Sequence, residues 1–467
     1  MFAYSAPSAR RRGAARLAAA TLVSGFVAAG LMTAAGPAAA DGMPQSPGGA
    51  TATIGSLKTY GTAVIHDGGD DHQVSAGLFE MSVDGGGTLQ TYCIDVHNPT
   101  QRDAKYRETP WSGTSLATNK NAGKIRWILQ NSYPQVNDLA ALAEKAGVRN
   151  LTEQDAAAGT QVAIWRYSDG ADVDAVDPRA EKLADYLEKS AGDLPEPRAS
   201  LTLDPPAVSG HPGERLGPVT VHTNASSVTL TPPAGAATSG VRIVGKKGEE
   251  ITSAQDGSQV FFDVPEDAGD GSATLTAQAS TTVPVGRAFT SDSRSQTQIL
   301  AGSSESTVSA TSGATWAAGG AIPALSAVKN CAKGALEISA ANKGDEPFTF
   351  ELMDTRYTIA AGGSETIMIP LQEDQAYDFT IRDPGGNAQR FAGVLDCRTH
   401  GSPSGTVTQT VGEPTPVMAG GDISPNPNLA ETGGTSTTPL IAAIGLSLLV
   451  LGATALSIVH KRKSAGN

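Results

Sequence analysis

Apolar and polar residues alternate with a period of two along most of this chain, and a helical period replaces it over one stretch, from about residue 121 to about residue 190. The first alternating runs are Lys58–His66, Ala76–Val83 and Thr88–Val96. Asp84-Gly85-Gly86-Gly87 joins the last two, and its glycines permit the positive φ that a hairpin turn needs. The pattern therefore predicts a hairpin with Cys93 on its second strand. Helical spacing then predicts four helices. Asn121–Asn131 sets Ile125, Ile128 and Leu129 on one face, Val136–Lys145 follows, and Pro178–Ser190 closes the group. The third of the four runs from Thr152 to about Tyr167, with Asp155 placed to complete a capping box. Beyond Pro195-Glu196-Pro197, short runs at Ser200–Leu203, Val219–Thr223, Ser227–Leu230, Val241–Val244, Val260–Val264, Ala273–Ala277 and Gln296–Leu300 predict a β-sandwich over 198–300. A second small sandwich over 322–399 follows from runs such as Ala335–Ala340, Phe348–Leu352, Glu365–Ile369, Tyr377–Ile381 and Arg390–Leu395. The expected fold is thus multidomain: an α+β head over 41–197, two all-β immunoglobulin-like sandwiches and a C-terminal transmembrane helix.

Composition changes this picture mainly at the joints. With 53 glycines, 28 prolines and 5% aromatic residues in 467, the chain reads as small domains on extended connectors. The Ser/Gly/Ala/Thr-rich stretch 301–321 is expected to be a flexible linker and 400–428 a disordered spacer. A net charge of −13 argues against a nucleic-acid partner. Arg10, Arg11, Arg12 and Arg16 precede an apolar run to Ala35, and Ala38-Ala39-Ala40 offers a cleavage site, so residues 1–40 read as a secretory signal. Export permits disulfides. Cys331 and Cys397 bracket one segment and are expected to pair, which leaves Cys93 as the thiol to be explained.

Two stretches carry the candidate chemistry: Tyr92-Cys93-Ile94-Asp95 and Gly159-Thr160-Gln161-Val162-Ala163-Ile164-Trp165. A cysteine sulfur can attack a glutamine side-chain carbon, expel ammonia and leave a thioester, an electrophile held in reserve. On the third helix Gln161, Ile164 and Trp165 fall at i, i+3 and i+4, which sets an amide among large apolar groups. Such an amide needs hydrogen bonds or a covalent fate, since burial without partners costs about 1–3 kcal/mol. Three other readings stand beside this one: an inert buried cysteine, a glutamine bonded to strand backbone, and a hydrolase in which alternation puts Cys93, Asp95 and His97 on one face. The acidic groups 66–72 and 169–174 read as solvated turns, and no metal or cofactor is expected.

The two stretches together resemble the thioester domains of Gram-positive surface adhesins, whose signature is a Tyr-Cys-Ile segment followed downstream by Thr-Gln-x-Ala. The resemblance implies a cross-link between Cys93 and Gln161, with Tyr92, Asp95, Thr160, Ala163 and Trp165 around it. It also implies single-use attachment to an amine, most naturally a lysine of a surface ligand, rather than enzyme turnover. Tyr92 and Trp165 are the expected shields against water. Near the other end, Leu429-Ala430-Glu431-Thr432-Gly433, an apolar run from Leu440 to Val459 and His460-Lys461-Arg462-Lys463 resemble a sortase sorting signal in the Leu-Ala-x-Thr-Gly form of class E enzymes. That implies a sortase as partner, joining of Thr432 to peptidoglycan, and a membrane helix held before sorting. The expectation for the whole is a secreted, cell-wall-anchored adhesin; a non-reactive wall spacer is the alternative.

Overall fold

The computed structural model describes residues 48–398. The segments read as a secretory signal (1–40), a spacer (400–428), a sorting motif (Leu429 to Gly433) and a membrane helix (from Leu440) lie outside the described residues. Among the described residues no helix is long and apolar enough to cross a membrane. The fold is mostly β with few helices.

The head begins with β1 (Thr51–Asp67), β2 (Asp70–Val83), β3 (Thr88–Cys93) and β4 (Lys105–Thr109). Four helices follow: α1 (Ala122–Asn131), α2 (Leu139–Lys145), α3 (Glu153–Ser168) and, after the short strand β5 (Val173–Ala175), α4 (Pro178–Ser190). The turn between β2 and β3 is the glycine turn read in the sequence, with positive φ at Gly85, Gly86 and Gly87 and Ser82 paired to Thr88. The acidic group at 66–72 is the tight turn of the β1–β2 hairpin, where His66 bonds Asp71 at 2.7 Å. Only part of the 169–174 group is such a turn. Asp169 accepts a hydrogen bond from Val96 N at 3.1 Å, and Val173–Ala175 pairs with β1 as a strand.

α3 is organised as its sequence requires. Thr152 accepts from Asp155 N and Asp155 accepts from Thr152 N, which satisfies two of the backbone donors that any helix start leaves open. The helix is then buried almost continuously from Asp155 to Trp165. Close approach explains Gly159, where a Cβ would stand 2.4 Å from Ala180 O of α4.

The second layer of the molecule departs from the expected domain plan. Strands β6 (Leu201–Asp204), β7 (Ala207–Gly210), β8 (Arg215–Thr223), β9 (Val228–Thr231), β10 (Arg242–Gly245), β11 (Ser253–Ala254), β12 (Gln259–Asp263) and β13 (Gly271–Thr282) build the sandwich. The hairpin β14 (Ala288–Ser291) and β15 (Gln298–Ser303) leaves it and enters the head, giving a seven-stranded sheet in the order β2-β3-β15-β14-β4-β1-β5. The run Gln296–Leu300, expected in the sandwich, instead leads into β15, a central strand of the head. The chain then returns as β16 (Glu305–Trp316), which pairs with β13 along twelve positions from Gly271↔Trp316 to Thr282↔Glu305. The expectation of a flexible linker at 301–321 is overturned by that strand. Thr307, Ser309, Thr311 and Thr315 alternate with a buried row of Ser306, Val308, Ala310, Ser312, Ala314 and Trp316, so a composition that resembles a linker serves a close-packed sheet. Head and sandwich share one hydrophobic core.

A buried charge cluster pins the joint. Glu108 of β4 accepts from Arg287 Nε at 2.8 Å, Ser200 N at 2.9 Å and Ala50 N at 3.2 Å, and Arg287 also bonds Glu196 at 2.7 Å. Both Glu108 (1% exposed) and Arg287 (4%) are out of water, so each carboxylate oxygen and guanidinium edge needs the partners it has.

The last part comprises β17 (Pro323–Asn330), β18 (Ala335–Asn342), β19 (Phe348–Leu352), β20 (Thr355–Ile359), β21 (Ser364–Pro370), β22 (Gln375–Arg382) and β23 (Ala388–Leu395), with its own core around Ile338, Phe348, Phe350 and Ile367. Cys331 and Cys397 are bonded, with Cα atoms 5.1 Å apart. The bridge ties the end of the segment to the β17–β18 turn rather than to its first strand, because β17 precedes Cys331. Lys329 reaches the head at Thr290 Oγ1 (3.3 Å), and Cys331 N donates to Ser112 O (2.9 Å).

Candidate functional site

Cys93 is the last residue of β3, and the chain bends at Ile94. Strand alternation therefore stops there, which removes the expected common face of Cys93, Asp95 and His97. Asp95 is spent on the loop that follows: its carboxylate accepts from His97 N at 3.1 Å and from the Asn98 side chain. It is buried, which raises its pKa, and its oxygens are engaged by the loop rather than by the thiol.

The structure brings Cys93 and Gln161 together across the sheet and helix. Cys93 N donates to Gln161 Oε1 at 2.9 Å, and Gln161 Nε2 donates to Cys93 O at 2.9 Å. The carboxamide behaves like a peptide group of an additional strand and is held against the residue that carries the thiol. Both residues are 1% exposed. The glutamine amide is thus satisfied by strand backbone, and the argument that an unpartnered amide demands a covalent fate does not hold. What the hydrogen bonds provide is position.

The sulfur lies among residues that the sequence did not point to. Gln298 Nε2 donates to Cys93 Sγ at 3.2 Å, and Thr91 Oγ1 donates to Gln298 Oε1 at 3.0 Å. Thr100 Oγ1 donates to Gln296 Oε1 at 3.0 Å, and the Gln296 amide reaches Asp95 O. Tyr106 OH, in turn, donates to Gln296 O at 2.7 Å. Gln296 and Gln298 come from the hairpin that enters the head, where register sets Gln298 opposite Cys93. One signal was available: polar residues at 296 and 298 leading directly into Ile299 and Leu300, in a run otherwise fit for a buried strand.

The other residues expected around the pair have differing surroundings. Tyr92 is fully buried, and its hydroxyl donates to Tyr133 O at 2.9 Å. The Cys93 sulfur instead accepts from Gln298 of the hairpin, as expected for adjacent side chains on a strand. Thr160 donates to Ala156 O at 2.7 Å within α3, and Ala163 packs at 0% exposure. Trp165 is also fully buried, and its Nε1 has no hydrogen-bond partner among the described residues.

Electrostatics here oppose ionisation. Burial pushes the Cys93 thiol up to about 12, with Asp95 and Asp169 adding to the rise and hydrogen bonds from Gln298 and Thr100 working against it. The groups that favour a thiolate here, Gln298 and Thr100, are neutral hydrogen-bond donors. Among the described residues, one group of carboxylates is close enough to hold a metal, Glu373 with Asp374 and Asp396, and it lies in the C-terminal segment.

Comparison with known proteins agrees with this geometry. Residues 90–193 match the family described as "Thioester domain", and residues 321–394 match "Bacterial phospholipase C, C-terminal domain". No curated protein matches. Among solved structures, the Bacillus anthracis TIE protein is 16% identical, covering 74% of this chain and 75% of that one at a TM-score of 0.27. The thioester domain of the Enterococcus faecium TIE86 protein is 17% identical, covering 57% and 96% at 0.28. The Escherichia coli chaperone DraB is 12% identical, covering 42% and 98% at 0.17. At those scores the structural likenesses carry no argument, and the family match stands on its own. Both Cys93 and Gln161 lie inside the segment 90–193 that matches the thioester-domain family, and the structure holds them in contact.

Proposed function

We propose that the chain is a surface adhesin that attaches covalently to an amine through a thioester between Cys93 and Gln161. The observation that carries this is the pair of 2.9 Å hydrogen bonds that fix the Gln161 carboxamide on the backbone of Cys93 in a closed site. In the first step the sulfur adds to the side-chain carbon of Gln161. The C–N bond breaks, and the thiol proton leaves with the nitrogen as ammonia. Cys93 N–H is already directed at Oε1, where negative charge develops in the tetrahedral intermediate. In the second step an amine adds to the same carbon. The C–S bond breaks, the amine proton passes to sulfur, and an amide remains on residue 161.

Burial of both residues supports storage of the bond, since water at the same carbon would hydrolyse it. The site is consumed by its own reaction, so the chemistry is stoichiometric. The ligand on this reading is a lysine-bearing surface molecule. Export and wall anchoring rest on residues 1–40 and on the motif from Leu429 to Gly433, with a sortase and peptidoglycan as partners. The hydrolase alternative is not favoured, because the sulfur takes its hydrogen bond from Gln298 and the Asp95 carboxylate is occupied by the loop.

The test is labelling of the purified full chain with a tagged primary amine, followed by peptide mapping. Label at Gln161 that is absent from Cys93→Ala and never exceeds one equivalent is the expected outcome. A wild-type chain that takes up no amine under any condition leaves the non-reactive spacer as the reading.

A further inference from the structure

We infer that Gln298 is the leaving-group donor of this site: its side-chain N–H stabilises the Cys93 sulfur as the carbon–sulfur bond breaks, and so sets how readily the stored bond reacts. The inference rests on the thioester reading of Cys93 and Gln161 and adds a residue outside the segment 90–193 that matches the family.

Four observations converge on it. Gln298 Nε2 lies 3.2 Å from Cys93 Sγ, within reach for a hydrogen bond to sulfur. The amide is held the right way round, because Thr91 Oγ1 donates to its oxygen at 3.0 Å and leaves the nitrogen facing the thiol. Its place is fixed by backbone, since Gln298 pairs with Cys93 and Ile299 with Tyr92 in the β15–β3 ladder. Lastly, Gln298, Thr91 and Cys93 are all at most 1% exposed, so solvent does not supply the donor.

The chemistry gives such a donor differential value. In the thioester the sulfur is nearly neutral and a poor acceptor. When an amine adds and the intermediate collapses, the C–S electron pair goes to sulfur, which becomes a thiolate before taking a proton from the added nitrogen. A hydrogen bond to an ionised acceptor is roughly twice as strong as one to a neutral acceptor, so the Gln298 contact tightens in the transition state. Asp95 and Asp169 act in the opposite sense by raising the energy of a thiolate at this position. The same donor favours sulfur as the nucleophile when the bond first forms. The hairpin that brings Gln298 is continuous with the sandwich through β13 and β16, so a residue of the second domain tunes the reactivity of the first.

Two variants of the full chain test this. Gln298→Met keeps length and removes the donor; Gln298→Glu keeps the acceptor for Thr91 and also removes the donor. Intact mass reads loss of ammonia, and methylamine and a less basic amine read the opening rate at Gln161. The expected result is opening slowed about 100-fold, the lower end of the range for loss of a single preorganised donor. The rate should also depend more steeply on amine basicity, because departure of sulfur becomes the harder step. A general loosening of the fold would speed amine entry and leave that dependence unchanged. Failure to form the bond in a variant whose thermal midpoint matches the wild type also supports the inference, and if one variant does not fold the other decides. Opening rates within about twofold of wild type, with unchanged dependence on the amine, overturn it. No ammonia loss in the wild type itself overturns the thioester reading beneath it.

Discussion

Two cysteine sites of this protein bring together residues at almost the same separation, one through a disulfide and one through hydrogen bonds, and differ in nearly everything else. Cys331 and Cys397 are 66 positions apart, and their disulfide lies at the margin of a small core beside Leu395. Cys93 and Gln161 are 68 positions apart and meet inside the large core, where a strand end, a helix and an inserted hairpin converge. The first site is a staple: closing a long loop restricts the unfolded chain whatever surrounds the bond. The second is furnished. Its carboxamide has both hydrogen bonds made, its sulfur has a directed donor, and its surroundings exclude water. Stability can be stored in a bond with few neighbours, whereas reactivity can be stored only in a bond whose neighbours are specified.

The comparison is broken most severely by removing the furnishing. A chain ending at Pro197 retains Cys93 and Gln161 but lacks β14 and β15, so β3 and β4 each lose a ladder in the middle of the sheet. The expected outcome is complete loss of amine labelling and of cooperative unfolding, measured by mass and by thermal melting. If this fragment labels like the full chain, the hairpin is not part of the site.

Next in size is the staple. Cys331→Ser with Cys397→Ser is expected to lower the stability of the C-terminal segment by about 4 kcal/mol from loop closure. Denaturant melts measure the loss. Labelling at Gln161 should persist, because two ladders inside the head hold the hairpin.

The smallest expected effect lies at the seam between the two regions. Asp396 precedes Cys397, accepts from Thr297 Oγ1 at 3.3 Å, and has its pKa raised to about 7, first by burial and then by Asp95. An acid whose folded pKa lies above its unfolded value binds its proton more tightly in the native state. Its contribution is most favourable in acid and declines as pH rises from about 4 towards 7, the window between the two pKa values. Asp396→Asn should remove that slope, raising the thermal midpoint near pH 8 relative to wild type while leaving it little changed near pH 4.

Much of the head was legible in the sequence because its signals are local. The capping box at Thr152 and Asp155, the glycine turn at 84–87, and α4 from Pro178 to Ser190 each depend on neighbouring residues. The cysteine and glutamine were legible as a pair through their motifs. The partner of the sulfur was not, because nothing local at Gln298 states which sheet its strand will enter. β14 and β15 bury both faces, so alternation gives no outward side, and the run Gln296–Leu300 read as one more strand of the sandwich. β16 was misread for a related reason: Ser, Ala and Thr are small enough for close sheet packing and equally common in linkers. The role expected of Asp95 depended on a strand that continues past Cys93, and the chain bends there instead.

The central claim, that Cys93 is joined to the Gln161 side chain before any ligand arrives, is tested most directly by the intact mass of the purified, untreated protein. A mass one ammonia below that of the sequence, restored to full value in Cys93→Ala and in Gln161→Ala once the substitution itself is allowed for, is the predicted result. A wild-type chain at full sequence mass, with its thiol alkylated quantitatively on denaturation, would contradict the account.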